Sequence, residues 1–256
     1  MKVRFHAYTL ILEQNERGRR KLNQVRSKDV GYDTEHGLAI EAGLKVWLEY
    51  ICQQSGNPIA GKTKFDSDSS LIDAIVLEEK LLKDFASRWN AGAFFGRVSD
   101  NANASDITKG SEHYVIRYTD ESGGRRVLKA TLPGKYGRYE YSPSIYLNSL
   151  CLVQSLVAAL DIRMHGVMQM PNGPSIVTSM QYIPGRHPRP TEIASYLKKM
   201  GWVEFHDGSQ TLDFINEELH QIIRDGHANN WVCQKESGVM VPIDISIETA
   251  PGSVNR

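Results

Sequence analysis

Cysteine is scarce in this chain. Cys52, Cys151 and Cys233 are odd in number and far apart, which argues against a disulfide framework or a CxxC zinc signature and points to a reducing cytoplasm. An excess of charge is also missing. Thirty Lys and Arg face thirty Asp and Glu, so net charge gives no pull toward nucleic acid or a membrane surface. Long apolar runs are absent. AYTLIL near the N-terminus is too short for a signal-peptide core, and nothing approaches the roughly 20 apolar residues of a membrane helix. His206, His220 and His227 lack zinc spacing. No G-x-S-x-G nucleophile elbow and no internal repeat occurs.

What is present is a 256-residue chain, 41% hydrophobic and 23% charged, as expected of a soluble globular protein with one large or two small domains. The first 28 residues lean basic, which reads as a solvated face. Ile40, Leu44, Trp47 and Ile51 predict a helix over 34–54, and Leu71, Ile75, Leu82, Phe85 and Trp89 a second over about 69–90. AFFGRV, HYVIRYT and RRVLKATL then read as strands, the last two separated by the turn signal DESGG. Ser142-Pro143 opens a predicted helix to about 160. Strands follow at 163–170 and 175–182, then the break PGRHPRP. Helices are predicted at 191–200 and about 211–223, and strands at 231–234 and 239–247.

Two phosphate-site signals compete. GNPIAGKT, residues 56–63, matches the P-loop pattern letter for letter, with Lys62 as its cation. Its context is wrong: helical periodicity precedes it, where a P-loop needs a strand, and the polar KFDSDSS follows it, where a helix should open. A flexible linker is the better reading. The second signal is a constellation. Transfer of a phosphoryl group from ATP needs a cation on the phosphates, Mg²⁺ ligands and a carboxylate that orients the attacking hydroxyl. Asp225 suits the carboxylate role. Asn230, five positions on in DGHANN, returns to the same pocket if the loop curls. Asp244 closes the apolar run GVMVPID, and Lys129 is a cation inside the apolar strand RRVLKATL, where burial demands a partner.

DGHANN resembles the D-x-x-x-x-N catalytic loop of the protein-kinase-like superfamily, in the D-x-H-x-x-N form of aminoglycoside phosphotransferases. VLKAT is similar to the strand that carries the ATP lysine, IVTSMQYIPG to the fifth strand and hinge, and VPIDI to the metal-binding DFG segment. Lys129, Ile183, Asp225 and Asp244 come in the family's order, with gaps of 54, 42 and 19 residues. GSEHYVIRY with VLKATLPGKYG resembles more narrowly the kinase domain of polyvalent proteins from mobile elements. The resemblance covers about 69–248.

It implies an α+β, compact two-lobed fold. A five-stranded antiparallel sheet lobe (69–183) and a short helical lobe (184–256) follow a partly helical extension (1–68), with ATP between the lobes. It implies an ATP- and Mg²⁺-dependent phosphotransferase. Lys129 pairs with the phosphates, and Gly110 and Ser111 form a reduced phosphate-covering turn. Backbone groups of Gln181 and Ile183 bind adenine, Asp225 orients the acceptor hydroxyl, and Asn230 and Asp244 hold Mg²⁺. His227 stands where protein kinases usually have Lys. Departures from the pattern keep a catalytically degraded, nucleotide-binding or interaction module as an alternative. The full G-x-G-x-x-G loop is absent, and Ile223 replaces the His of HRD. Helix 143–160 carries no Glu, so the partner of Lys129 is open between Glu112 and Glu140. No activation segment is expected after Asp244.

Overall fold

The computed structural model describes residues 34–54, 68–136, 142–205, 212–235 and 237–249. The basic N-terminal stretch, the P-loop-like segment 56–63 and Glu140 lie outside the described residues. The chain divides into two compact units. A sheet unit comprises the described residues up to Asn148 together with Asp161–Tyr182. A loop unit comprises Ser149–Leu160 and the described residues from Ile183 onward. No helix among the described residues is long and apolar enough to cross a membrane.

The sheet unit is built on six antiparallel strands: β1 (Leu38–Ala39), β2 (Ile107–Lys109), β3 (His113–Thr119), β4 (Arg125–Thr131), β5 (Arg163–Met170) and β6 (Gly173–Gln181), in the order β1-β5-β6-β4-β3-β2. The alternation in HYVIRYT and RRVLKAT sets the register. Ile116 lies opposite Leu128, and Val115 opposite Lys129. Asp120 closes the β3–β4 hairpin, its Oδ1 accepting the N–H groups of Ser122 and Gly124 at 3.0 and 2.8 Å. Three helices accompany the sheet: α1 (Ile40–Gln54), α2 (Asp68–Phe85) and α3 (Gly92–Asn101).

AFFGRV forms α3 and not the predicted strand. Asn90 Oδ1 accepts the Gly92 N–H at 2.8 Å and so starts the helix. Phe94 and Val98, one turn apart, then sit in a core cluster with Ile116, Leu128, Ala130, Met168 and Val177. A short apolar run fits period 2 and period 3.6 equally, and tertiary packing chose the helix. The predicted five-stranded sheet is thus corrected to six, with β1 and β2 in place of AFFGRV. Gly166, at φ +121, marks a register shift in the β5–β6 ladder; a Cβ there would lie 2.5 Å from the Trp89 carbonyl oxygen.

Helix α4 (Pro143–Leu156) begins as the Ser-Pro pair predicts. Ser142 Oγ accepts the Ile145 N–H at 3.3 Å, and Pro143 takes the first turn, where no N–H is needed.

The loop unit is richer in strands than the sequence suggests. Helix α5 (Pro190–Lys198) falls where expected, with Glu192 accepting the Arg189 N–H at 2.7 Å. The predicted helix at 211–223 is instead a hairpin of β9 (Asp213–Asn216) and β10 (Gln221–Arg224). Asn216 Oδ1 accepts the Leu219 N–H at 2.9 Å and closes the turn, while Ile215 pairs with Ile222 and Phe214 with Ile223. The predicted strand 239–247 is two strands in different sheets, β12 (Met240–Pro242) and β13 (Ser246–Thr249). With β8 (Val203–Phe205), these give the sheet β13-β10-β9-β8. β7 (Gly185–Arg186) and β11 (Trp231–Gln234) complete the sheet β12-β11-β7. Among the described residues of 184–256, α5 is therefore the single α-helix, and strand residues outnumber helical residues in the expected helical lobe.

Candidate active site

Strand β10 ends at Arg224, and Asp225 leaves it at φ +59. Asp tolerates this left-handed conformation better than most residues. Gly226 follows because its N–H donates to Leu212 O at 2.7 Å, and a Cβ would lie 2.5 Å from that same oxygen. A 3-10 turn, Ala228–Asn230, then brings the chain back. Asn230 Nδ2 donates to the Asp225 carbonyl at 2.8 Å and to Asp225 Oδ2 at 3.0 Å. His227 Nε2 lies 3.0 Å from Asp225 Oδ1. The five-residue spacing in DGHANN is therefore a closed loop, with both oxygens of a half-exposed carboxylate held from within the loop.

Asp244 belongs to the same neighbourhood. β11 leads directly out of the 3-10 turn and pairs with β12, Trp231 opposite Pro242. Just beyond that pairing the Asn230 carbonyl accepts the Ile243 N–H at 2.8 Å and, at a longer 3.4 Å, that of Asp244. Asp244 is exposed. Within the loop unit, Asp225, His227, Asn230 and Asp244 are thus tied by successive hydrogen bonds.

Two buried residues that the sequence reading did not single out support this loop. Asp213, 1% exposed, accepts Arg224 Nη1 at 2.7 Å through Oδ2 and the Asp225 N–H at 3.1 Å through Oδ1. Arg224 also faces Glu248, Nε to Oε2 at 3.4 Å. A predicted helix over 211–223 hides this pairing, which only a hairpin creates.

In the sheet unit, Lys129 lies in the middle of β4, between Val115 and Thr178, and is 9% exposed. Leu128 and Ala130, on either side, point to the α3 core. Lys129 therefore points to the opposite face, shared with Thr131 and its partner His113. His113 Nε2 is 3.3 Å from the Tyr146 hydroxyl of α4. Glu78 of α2, 1% exposed, accepts the Ser144 N–H of α4 at 2.9 Å through Oε2. So the buried carboxylate beside the start of α4 comes from α2. Glu112 is half-buried, its carbonyl accepting the Leu132 N–H at 2.7 Å.

Gly110 and Ser111 form an exposed β2–β3 turn, with the Gly110 N–H donating to His113 O at 2.8 Å. Gln181 closes β6 opposite Arg126. Tyr182, next to it, hydrogen-bonds the Arg125 carbonyl at 2.9 Å and lies under the Arg125 guanidinium, 4.2 Å from the ring centroid. Ile183 is buried in the loop unit.

A family model described as a serine/threonine/tyrosine kinase found in polyvalent proteins matches residues 77–250, more than half of the chain. The chain belongs to this kinase family. The match runs from one residue before Glu78 through all eight candidate site residues. No curated protein matches significantly. Solved chains that match include an amicoumacin kinase in complex with AMP-PNP, Ca²⁺ and Ami. It is 14% identical, with a TM-score of 0.39 over 65% of this chain and 68% of that one. Likeness at that level adds nothing to the family assignment.

For a divalent ion, no group of three or more His, Cys, Asp or Glu side chains occurs among the described residues. Asn230 spends its amide nitrogen on Asp225, so its amide oxygen is the side-chain atom that could hold a cation.

Proposed function

We propose that this kinase-family member transfers the γ-phosphoryl group of ATP to a hydroxyl acceptor with Mg²⁺. The observation that carries the reading is that one unit holds Asp225, Asn230 and Asp244 close in the backbone: Asn230 donates its amide to the Asp225 carboxylate, and its carbonyl accepts the Asp244 backbone N–H, which suits a hydroxyl-orienting carboxylate next to two oxygen ligands for a hard cation. The acceptor oxygen attacks the γ-phosphorus, the bond to the bridging oxygen of ADP breaks, and the hydroxyl proton passes to Asp225. His227 and Asn230 fix the two oxygens of that carboxylate before the acceptor arrives, so little reorganisation remains for the chemical step. Lys129 neutralises phosphate charge. Gly110 and Ser111 cover the phosphates, and backbone groups of Gln181 and Ile183 take the adenine edge. Asn230 and Asp244 would hold the ion, which would supply positive charge against the phosphates.

The test is ADP release under saturating ATP and Mg²⁺, with the fold monitored by circular dichroism. Asp225→Ala is expected to lower turnover by about 10²- to 10⁴-fold, and Asp244→Ala to abolish it. Full activity in both variants refutes the assigned roles.

One observation favours a second reading. Helix α4 carries no acidic residue, which suits a module that binds nucleotide without turnover. Thermal stabilisation by ATP without ADP release supports that module; no stabilisation by ATP removes both readings. The P-loop alternative ends if Lys62→Ala leaves ATP affinity unchanged.

A further inference from the structure

We propose that Asp213 is the positioning residue of the catalytic loop, holding Asp225 in its working conformation through the Asp225 amide. The inference rests on Asp225 being the acceptor-orienting carboxylate and names what aims it.

Phe214 pairs with Ile223, so the next opposed positions are Asp213 with Arg224 and Leu212 with Asp225. The ladder does not continue there, because Asp225 turns to φ +59. Its N–H bonds a side chain of the neighbouring strand. Asp213 Oδ1 takes that N–H at 3.1 Å, while its Oδ2 binds Arg224 Nη1 at 2.7 Å. One residue on, the Gly226 N–H returns to Leu212 O at 2.7 Å. Three consecutive residues are thus fastened to two consecutive residues of the neighbouring strand, by a side chain where the backbone cannot reach.

Burial makes the arrangement specific. Asp213 is 1% exposed, and an ionised carboxylate at that depth is unfavourable without a counter-charge and further hydrogen bonds. Arg224 supplies the charge, and the Asp225 amide supplies the bond. The direction of that amide sets the peptide plane from which the Asp225 side chain departs. A displacement of about 1 Å in a catalytic group can cost ~10²-fold in rate. Asp213 touches neither the acceptor nor the nucleotide in this scheme, so its influence falls on turnover and not on ATP binding.

The test uses the full chain, with ADP release measured for Asp213→Ala, Asp213→Asn and Asp225→Ala. Asp213→Asn keeps an oxygen for the Asp225 amide but loses the charge opposite Arg224; Asp213→Ala loses both. The inference expects Asp213→Ala to lower kcat by ~10²-fold with KM for ATP within about threefold, and Asp213→Asn to recover at least ~10-fold of that loss. It also expects faster hydrogen exchange at the Asp225 amide in Asp213→Ala and protection retained in Asp213→Asn. Equal kcat losses in the two variants, tracking their melting temperatures, would reduce Asp213 to a counter-ion for Arg224 and overturn the inference. If Asp213→Ala does not fold, an unprotected Asp225 amide in a folded Asp213→Asn overturns it, and a protected one sustains it. Inactive Asp225→Ala with fully active Asp213→Ala sinks this inference alone. A wild type that releases no ADP, or a fully active Asp225→Ala, removes the underlying reading and the inference with it.

Discussion

Arg126 and Arg224 are buried arginines, each paired with an aspartate at 2.7 Å, one in each unit, and the two regions treat them differently. Arg126 reaches from β4 to Asp161, donating Nη1 to Oδ2 and Nη2 to the backbone carbonyl, with Ser179 Oγ taking Nε at 3.1 Å. Its partner side chain is 45% exposed and is shared with Arg163. Arg224 faces a carboxylate that is 1% exposed and that also holds the backbone of the Asp225–Asn230 loop. In the sheet unit the ion pair supplements a core already closed by Phe94, Ile116, Leu128 and Val177. In the loop unit, where strands run to only two to four residues, a buried polar clamp replaces strand length. The difference teaches that an ion pair's worth follows the burial of the partner left behind.

The largest effect should break that contrast most directly. Arg224→Met strands Asp213 as a buried charge and should cost about 3–5 kcal/mol, measured by urea denaturation together with hydrogen exchange of the β9–β10 amides. A cost below about 1 kcal/mol would mean that Glu248 and solvent rescue the site, and the contrast would vanish. Next comes Leu128→Ala, fully buried at the centre of the sheet-unit core. It should cost about 2–5 kcal/mol through lost burial and a cavity, and it tests whether that unit rests on apolar packing. Arg126→Met should cost only about 1 kcal/mol, because the Asp161 left behind is screened by solvent and keeps Arg163. If Arg126→Met proves as costly as Arg224→Met, burial of the partner is not the controlling variable.

The same contrast explains what could be read from the sequence. The strands carrying Lys129 and residues 173–181 were legible because each is a short β-favouring run bounded by a turn signal, DESGG before the first and PNGP at the start of the second. Spacing made the closed loop Asp225–Asn230 legible, since a polar cluster between apolar runs stands out without knowledge of neighbours. Asp213 and Arg224 were not legible. Each looks like an ordinary surface charge until the hairpin sets them opposite one another, and Leu212, Phe214, Ile215, Ile222 and Ile223 fit helix and hairpin alike. Glu78 was missed for a related reason. It lies in a helix preceding the matched strands, and only the fold brings it to the N-terminus of α4. AFFGRV failed because six residues hold too little periodicity to decide between helix and strand.

The smallest expected effect is electrostatic, and its sign differs between two helical glutamates, one in each unit. In the loop unit, hydrogen bonds from Arg186 and then from the Arg189 backbone push Glu192 down to about 2. In the sheet unit, burial pushes Glu79 of α2 above its ordinary value. For Glu192, the folded chain holds its proton less tightly than the unfolded chain. Its contribution is therefore complete above the ordinary carboxylate range, near pH 4.5, and is lost as pH falls toward 2. For Glu79 the folded chain takes up a proton first. Acidification through its raised pKa therefore favours folding, and the gain stops at the ordinary value. Carboxyl shifts followed by NMR from pH 7 to pH 2 should show Glu79 titrating before Glu192, with the α5 amides losing protection only in the last part of the range. Added salt should raise the Glu192 midpoint by screening Arg186 and leave the burial-driven Glu79 midpoint nearly in place. Midpoints in the reverse order would show that the Arg186–Glu192 pair is not held in solution, and that the start of α5 depends on Pro190 and packing instead.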